Sequence, residues 1–178
     1  MITIEPAQFG DEEKICELEK ILYFDESKDK EDLEKHGFLF YKKTPQEYLR
    51  FIKSPCELLL AKDEGFIVGF ILGYPFKIMK EFEPKLKHIP AKFYDSTDNT
   101  IYISRLAVYP EYQKSGVGQQ LYEELVKRTK ATHKTTLICH GPIKNNASTH
   151  FFQVKNGFKN IGEFTNPEIK VGMYEQKG

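Results

Sequence analysis

One segment of this 178-residue chain constrains its fold more than any other, the short loop 113–118. A strand-like run at 101–108 precedes the loop, and a helix-like run from Val117 to about residue 130 follows it. The first amides of a helix have no acceptor inside the helix, and the helix dipole favours negative charge there. Gly116 and Gly118 allow the backbone to come close to a bulky ligand. The pattern predicts a strand, loop and helix that together bind a phosphate group.

Two familiar phosphate-binding motifs do not fit this loop. A Walker loop would need Gly-Lys-Ser/Thr at its end, which is missing here, so an ATP-binding loop is disfavoured. A dinucleotide fingerprint would need a third glycine, and that position is Leu121. The remaining alternative to a phosphate site is a glycine-rich turn before a surface helix.

Bulk composition excludes several classes of function. Lys+Arg and Asp+Glu are both 26, so the formal net charge is zero and no basic field favours nucleic acid. The three cysteines and the histidines lack the spacing of a metal or redox site, so we expect no bound metal. The first residues do not resemble a signal peptide, and no apolar run approaches membrane-spanning length. These features predict a cytoplasmic protein that binds neither nucleic acid nor membranes.

Apolar periodicity and end signals predict one mixed α/β layer fold built on a single sheet. The predicted order is β-α-α-β-β-β-α-β-α-β-β. The strands are expected at 2–4, 57–61, 66–74, 100–108, 135–139, 158–164 and 170–176. The helices are expected at 11–23 with Asp11 as cap, from Thr44 to before Pro55, at 117–130, and at 146–155. The stretch 75–99 lacks clean periodicity, although 77–87 could hold a short helix.

Two blocks of residues resemble the GNAT N-acetyltransferase superfamily. The loop of that family is Gln/Arg-x-x-Gly-x-Gly/Ala, and its defining positions are here Gln113, Gly116 and Gly118. A second block is similar to the family over Asn146, Thr149, Phe152, Gly157 and Phe158. The resemblance extends over most of the chain, roughly 2–174. It implies a single domain, 1–178, with a mostly antiparallel twisted sheet of six to seven strands, splayed between strands four and five and flanked by four helices.

The resemblance also implies acetyl-CoA as cofactor and a set of residues that bind it. The loop amides would bind the pyrophosphate, the backbone of strand four would bind the pantetheine arm, and two residues of the second block would lie on the cofactor side. The expected cofactor-binding residues are Leu106, Ala107, Val108, Gln113, Lys114, Ser115, Gly116, Val117, Gly118, Gln119, Asn146 and Phe152. For Asn146 and Phe152, helix capping and core packing are equally good interpretations.

The implied reaction is direct attack of a primary amine on the acetyl group, with both substrates bound. The Val108 amide would stabilise the developing oxyanion. Family members often have a tyrosine acid directly after the Phe152 position, but this chain has Gln153 there, so water, Tyr109 or another tyrosine would have to serve. His140, at the end of a predicted strand, is the candidate general base, with a structural role as the alternative.

The amine acceptor is not identified by the sequence. Small amines, amino acids and peptide N-termini all fit a neutral chain. Arg105 could bind a substrate carboxylate or extend to solvent, and aromatic residues of 33–41 and 75–99 could form an acceptor wall or fill the core. A catalytically weak acyl-CoA sensor or scaffold of the same fold is the alternative function, and a homodimer through the closing strands is compatible with the resemblance.

Overall fold

The structure of the chain is a computed structural model that describes residues 1–23, 39, 41–83, 89, 93, 99–133, 135–140, 147–166 and 169–178. For Lys80, His140, Asn166 and Ile169 the description is limited to the backbone. None of the helices in these ranges is both long enough and apolar enough to cross a membrane.

Seven strands form one mixed sheet in the order β1-β2-β3-β4-β5-β7-β6. β4 and β5 are parallel, whereas β1 with β2, β2 with β3, β5 with β7, and β6 with β7 are antiparallel. The strands are β1 Ile2–Pro6, β2 Glu57–Asp63, β3 Phe66–Pro75, β4 Thr100–Val108, β5 Thr135–His140, β6 Lys159–Asn166 and β7 Ile169–Lys177. The predicted fold class is confirmed, and each strand begins and ends within a few residues of its predicted bounds.

The four predicted helices are present, and a further short helix lies among the described residues between β3 and β4. The helices are α1 Glu12–Leu22, α2 Pro45–Ile52, α3 Met79–Phe82, α4 Val117–Thr129 and α5, which is α-helical over Ala147–Thr149 and π-helical over His150–Lys155. A 3-10 turn, Phe76–Ile78, leads into the short α3. α3 and most of this turn fall within 77–87, where the sequence indicated a short helix.

The two N-terminal helices begin differently. Thr44 and Glu47 form a reciprocal capping box at α2, as its sequence predicts, with Pro45 at the first helical position. Asp11 occupies the N-cap position of α1 as predicted, but its side chain makes no capping bond. Its carboxylate instead accepts a hydrogen bond from the Gln8 amide at 2.8 Å and pairs with Lys62 at 3.5 Å.

The parallel ladder between β4 and β5 is short. It begins at Thr100 opposite Thr135 and ends at Ile103 opposite Ile138. β4 continues for five more residues, 104–108, beyond the last pair of this ladder. This early end of the ladder is the splay expected between strands four and five.

The Cα positions divide the chain into two compact units, each with its own core. One unit consists of Met1–Gly73 and Arg105–Arg128, and its fully buried side chains include Ile15, Tyr48, Leu59, Phe70 and Leu121. The other consists of Tyr74–Ser104 and Thr129–Gly178, and its buried side chains include Tyr74, Phe76, Ile103, Met173 and Tyr174. The single domain expected from the sequence stays a prediction.

The last helix differs in type from its prediction. Its π-helical part closes through a bond from the Asn156 amide to the Phe151 carbonyl at 3.2 Å, and the Asn156 side chain donates to the same carbonyl at 2.9 Å. Gly157, with φ of 69°, then ends the helix where the sequence indicated. In a π-helix each hydrogen bond joins residues that are five apart, so the turn is wider than in an α-helix. Such turns are frequent at functional sites. The predicted first residue, Asn146, lies outside the described residues.

Candidate functional site

The loop before α4 has the backbone geometry that its glycines predict. Lys114 and Gly116 both have left-handed backbone conformations, with φ of 62° and 92°. α4 begins directly afterwards at Val117, and the Gln120 amide donates to the Gly116 carbonyl at 3.0 Å. The amides of 117–119 therefore belong to the first helical turn, where no acceptor within the helix exists for them. This is a concave run of donors suited to an anion.

The loop presents its backbone to solvent, and the Ser115 side chain is one of its anchors. Val117 is buried at 1% exposure, whereas Lys114 and Ser115 are exposed and Gly116 is partly exposed. A Cβ added to Gly116 would meet no atom within 4 Å, so the space above this residue is open. Ser115 donates its hydroxyl to the Tyr112 carbonyl at 2.5 Å, which closes the turn that leads into the loop. An anion can therefore approach the loop amides directly.

Contacts inside the first unit hold the end of β4 and the loop together. The Gln113 side-chain amide donates to the Val108 carbonyl at 3.1 Å, and the Tyr109 amide donates to the Val68 carbonyl at 2.8 Å. A Cβ added to Gly69 would lie 2.9 Å from the Ala107 carbonyl oxygen, a distance that side chains do not tolerate. Glycine at 69 thus permits the close approach of β3 to β4.

The predicted pantetheine-binding residues alternate along β4 between buried and half-buried positions. Ala107 is buried at 2% exposure, while Leu106 and Val108 are half-buried. These residues follow the point at which the ladder with β5 ends. Gln119 lies in the first turn of α4. Its side-chain amide donates a hydrogen bond to the Glu123 carboxylate at 3.0 Å, so this side chain lies along the helix surface.

The predicted catalytic residues are placed only in part. Tyr109 is half-buried beside the 3-10 turn Pro110–Tyr112. His140 is the last residue of β5 and lies opposite Gly172 of β7, but its side chain is outside the described part of the structure. Val108 occupies the end of β4, as expected. The catalytic roles of Val108, Tyr109 and His140 stay predictions.

Gln153, which stands where the family often has tyrosine, turns its side chain toward β7. Its amide nitrogen is buried and lies near the Tyr174 phenol. Burial raises the pKa of the Tyr174 phenol, while hydrogen bonding to side chains that include Gln153 lowers it. Tyr174 itself is fully buried. The position usually occupied by a proton donor thus carries an inward-facing amide.

Phe152 packs in the core of the second unit. Its ring meets Phe151 and Phe158 nearly at right angles, with centroids 5.0 and 5.2 Å apart, and it is 3% exposed. These contacts agree with the packing interpretation of Phe152, and a contact with the cofactor stays a prediction. The other residue of this block, Asn146, lies outside the described residues.

Arg105 has a different role from either of those considered for it. It is buried at 5% exposure, and its guanidinium pairs with the Glu19 carboxylate at 2.5 Å. Glu19 also accepts bonds from the Tyr48 hydroxyl at 2.5 Å and the Lys43 amide at 3.2 Å. Arg105 therefore neither extends to solvent nor faces a substrate carboxylate, but joins β4 to α1 and α2.

Two residues of the expected acceptor wall are packed in the core. Phe76 and Phe93 are buried, and their rings lie 5.7 Å from Tyr102 and 6.1 Å from Phe164. These two residues fill the core of the second unit. Tyr41 and Phe82, two further candidates, are half-buried. The remaining aromatic candidates at 38, 40 and 94 lie outside the described residues.

Sequence reasoning missed a buried carboxylate, Glu83. It follows α3 directly, is 7% exposed, and accepts a hydrogen bond from the Ser104 hydroxyl. Its position in an aperiodic stretch gave no sequence signal. Among the described residues, no group of three His, Cys, Asp or Glu side chains could hold a metal ion.

Comparison with known proteins identifies the family. Residues 13–158 match the profile of the acetyltransferase (GNAT) family, so this chain belongs to that family. No curated protein sequence matches it.

Solved structures share the fold at low sequence identity. An N-acetyltransferase from Staphylococcus aureus Mu50 is 16% identical, with a TM-score of 0.69 over 99% of this chain and 98% of that one. The ribosomal-protein-S18-alanine N-acetyltransferase from Escherichia coli is 14% identical, with a TM-score of 0.64 over 99% and 94%. A GNAT family acetyltransferase from Elizabethkingia anophelis with acetyl-CoA bound is 17% identical, with a TM-score of 0.54 over 99% and 98%.

Proposed function

We propose that this protein transfers the acetyl group of acetyl-CoA to a primary amine. The observation that carries the proposal is the donor-lined loop before α4, in which Lys114 and Gly116 take left-handed conformations. Membership of the acetyltransferase family and a structural neighbour with acetyl-CoA bound support this choice of donor.

The residues present fit acetyl-CoA in two respects. The pyrophosphate is an anion, and the amides of the loop and the first turn of α4 form an anion site with Lys114 as an adjacent positive charge. The pantetheine arm carries amides, and the backbone of β4 at 106–108, beyond its ladder with β5, suits them as a strand partner. The open space at Gly116 agrees with a ligand that lies against the backbone.

The reaction forms one bond and breaks another. The amine nitrogen attacks the acetyl carbonyl carbon, the C–S bond breaks, the CoA thiolate leaves, and the nitrogen gives up one proton. Holding both substrates in place supplies much of the rate, and the Val108 amide is proposed to stabilise the oxyanion. Gln153 cannot donate a proton near neutral pH. Because a thiol with a pKa of about 8.5 is a good leaving group, Tyr109 or water suffices as the proposed acid.

A second candidate function rests on Gln153. An amide at the usual position of the proton donor, turned toward β7, favours an acyl-CoA sensor or scaffold of the same fold that has lost catalysis.

The two functions are separated by one experiment. The full chain is mixed with acetyl-CoA and a panel of small amines, amino acids and short peptides, while thiol release and acetylated product are followed. An acetyltransferase releases thiol and yields one acetylated amine for each thiol. Tight binding of acetyl-CoA in calorimetry without product from any amine would favour the sensor. Absence of acetyl-CoA binding would contradict both proposals.

Two further properties are proposed, a cytoplasmic location and a homodimer. A cytoplasmic location fits the acetyl-CoA donor. A homodimer fits the position of β6 at one end of the strand order, because an edge strand can pair with a second copy. Sedimentation of the full chain at several concentrations tests the dimer.

A further inference from the structure

A buried ion pair lies directly beside the strand end that the proposed function assigns to acetyl-CoA. Arg105 is 5% exposed and Glu19 is 2% exposed, and the guanidinium donates to the Glu19 carboxylate at 2.5 Å. Arg105 immediately precedes 106–108, the proposed pantetheine-binding backbone, and all of these residues belong to one compact unit. Apolar side chains of similar volume often stabilise a core as well as a buried ion pair does. Stability alone therefore does not account for two charges at this place.

The Glu19 carboxylate is held from two further directions. One of its oxygens also accepts from the Tyr48 hydroxyl of α2 at 2.5 Å, and the other accepts from the Lys43 backbone amide at 3.2 Å. The Tyr48 ring in turn packs edge-on against the Phe70 ring of β3, with centroids 5.8 Å apart. A carboxylate that accepts three bonds has a fixed orientation, and it fixes the guanidinium of Arg105 in the same way.

The end of β4 depends on such an anchor. Residues 105–108 lie beyond the last pair of the ladder with β5, which joins Ile103 to Ile138. On the side of β3, the Tyr109 amide donates to the Val68 carbonyl at 2.8 Å. Strands twist more in two-stranded ribbons than inside a wide sheet. The rotation of this segment about its own axis is therefore set by β3 and by the buried side chains of the segment itself.

The side chain of Arg105 controls the direction of the neighbouring amides. Arg105 and Ala107 are the buried positions of this segment, and they alternate with the half-buried Leu106 and Val108. In a strand the side chains stand across the sheet, whereas the amides and carbonyls lie in its plane. Holding the Arg105 side chain in one direction thus holds the backbone groups of 106–108 in another. Hydrogen bonds weaken steeply as their angle closes, so a rotation of this segment would weaken bonds to a ligand.

We propose that the pair of Glu19 and Arg105 positions the backbone of 106–108 for the pantetheine arm and the acetyl carbonyl of acetyl-CoA. Both are positioning residues, since they act through the backbone of β4 and contact no reacting atom. This role rests on the proposed function, because it concerns the backbone that the proposed function assigns to acetyl-CoA.

The test separates positioning from stability. The double variant Glu19→Leu with Arg105→Met removes both buried charges, so it should regain much of the stability that either single variant loses. Leu59→Ala, in the buried core of β2, is the control, because it destabilises the same unit and leaves β4 unchanged. Calorimetry at a temperature where every variant is folded measures acetyl-CoA binding. The double variant should bind about two- to tenfold more weakly, as for one misaligned hydrogen bond, and Leu59→Ala should bind as the wild type does.

Kinetics provide the second readout, with acetyl-CoA and the amine that is acetylated fastest in the panel. The double variant should lose about tenfold or more in kcat, because small misplacements of the reacting groups are costly. Its KM for the amine should be unchanged, since the pair acts on the backbone that binds the donor. Should the double variant fail to fold, Arg105→Lys retains both charges but replaces the planar guanidinium by a single ammonium. That variant should bind acetyl-CoA about twofold or more weakly.

The possible outcomes separate this role from the proposed transfer. Equal acetyl-CoA affinity in the double variant and the wild type overturns the positioning role, and thiol release by the wild type then leaves the transfer standing. Equal losses of affinity in the double variant and Leu59→Ala also overturn the role, since stability would explain them. Weaker binding in the double variant alone, without thiol release from any amine, upholds the role and overturns the transfer. No binding of acetyl-CoA by the wild type overturns both.

Discussion

The side-chain amide of Gln113 donates a hydrogen bond of 3.1 Å to the backbone carbonyl of Val108. This bond joins the first residue of the glycine-bearing loop to the last residue of β4, five positions earlier in the chain. One side chain therefore couples the proposed pyrophosphate-binding loop to the strand end proposed to bind the acetyl group. The first position of the family loop has a defined structural task in this protein.

Replacing Gln113 by leucine removes that bond and keeps a side chain of similar size. We expect acetyl-CoA to bind about two- to tenfold more weakly, because a net hydrogen bond is worth about 0.5–1.5 kcal/mol. Isothermal calorimetry measures the change. Gln120→Leu, at an exposed position of α4, is the control and should bind as the wild type does. The same loss in both variants would show that the bond to Val108 is unimportant.

Gly116 is tested against Gly65, the glycine of the β2–β3 turn. Both have a left-handed backbone, with φ of 92° and 85°, and a Cβ at either would meet no atom within 4 Å. Each alanine variant should lose about 1–2 kcal/mol of unfolding free energy from backbone strain alone. Only Gly116→Ala should also weaken acetyl-CoA binding, because its methyl group occupies the space we assign to the ligand. Urea unfolding and calorimetry measure the two effects.

A charged variant sharpens this test. Gly116→Glu places a carboxylate beside the proposed pyrophosphate, and repulsion of about 1 kcal/mol or more should weaken acetyl-CoA binding by about tenfold or more. The loss should shrink at high salt, since screening shortens the range of the repulsion. Unchanged binding in this variant would exclude the loop as the pyrophosphate site.

Local signals explain why much of the fold was predictable. The capping box of α2 requires only Thr44 and Glu47, which are three residues apart. The β2–β3 hairpin follows from two apolar runs around a turn in which Glu64 and Gly65 have positive φ. The strand, loop and helix at 100–129 likewise depend on neighbours in sequence.

Side-chain pairing across long separations was not predictable. Arg105 and Glu19 are 86 residues apart, and Ser104 and Glu83 are 21 apart. No periodicity relates the members of either pair, so a charged residue on β4 was expected to face a ligand or solvent. The π-helical turn at 150–155 was missed for a different reason, since it depends on the local bonds that Asn156 makes to Phe151.

The Cys16 thiol predicts a pH dependence of stability. Burial, followed by the charge of Glu19, raises the pKa of this thiol to about 11, whereas an unfolded cysteine has a pKa of about 8.5. Between these values the unfolded chain has lost the proton that the native chain keeps, so stability falls as pH rises, by up to about 1.4 kcal/mol per pH unit. Cys16→Ala lacks this contribution. Under reducing conditions, the urea-unfolding free energy of the wild type should therefore fall more than that of Cys16→Ala between pH 8 and pH 10. A difference between the two proteins that stays constant over this range would contradict the raised pKa.

The ion pair between Glu19 and Arg105 predicts strongly non-additive mutations. Both side chains are at least 95% buried, so either single variant, Glu19→Leu or Arg105→Met, leaves one charge buried without its partner. Each should lose about 3–5 kcal/mol of unfolding free energy, and the double variant should recover much of that loss because no buried charge remains. Tyr48 and the Lys43 amide also bond to Glu19, so recovery should be incomplete. The pair Lys127 and Glu124 on the surface of α4 is the control, with an expected coupling of only about 0.2–0.5 kcal/mol. Additive losses in a urea-unfolding cycle for Glu19 and Arg105 would show that the two charges do not stabilise each other.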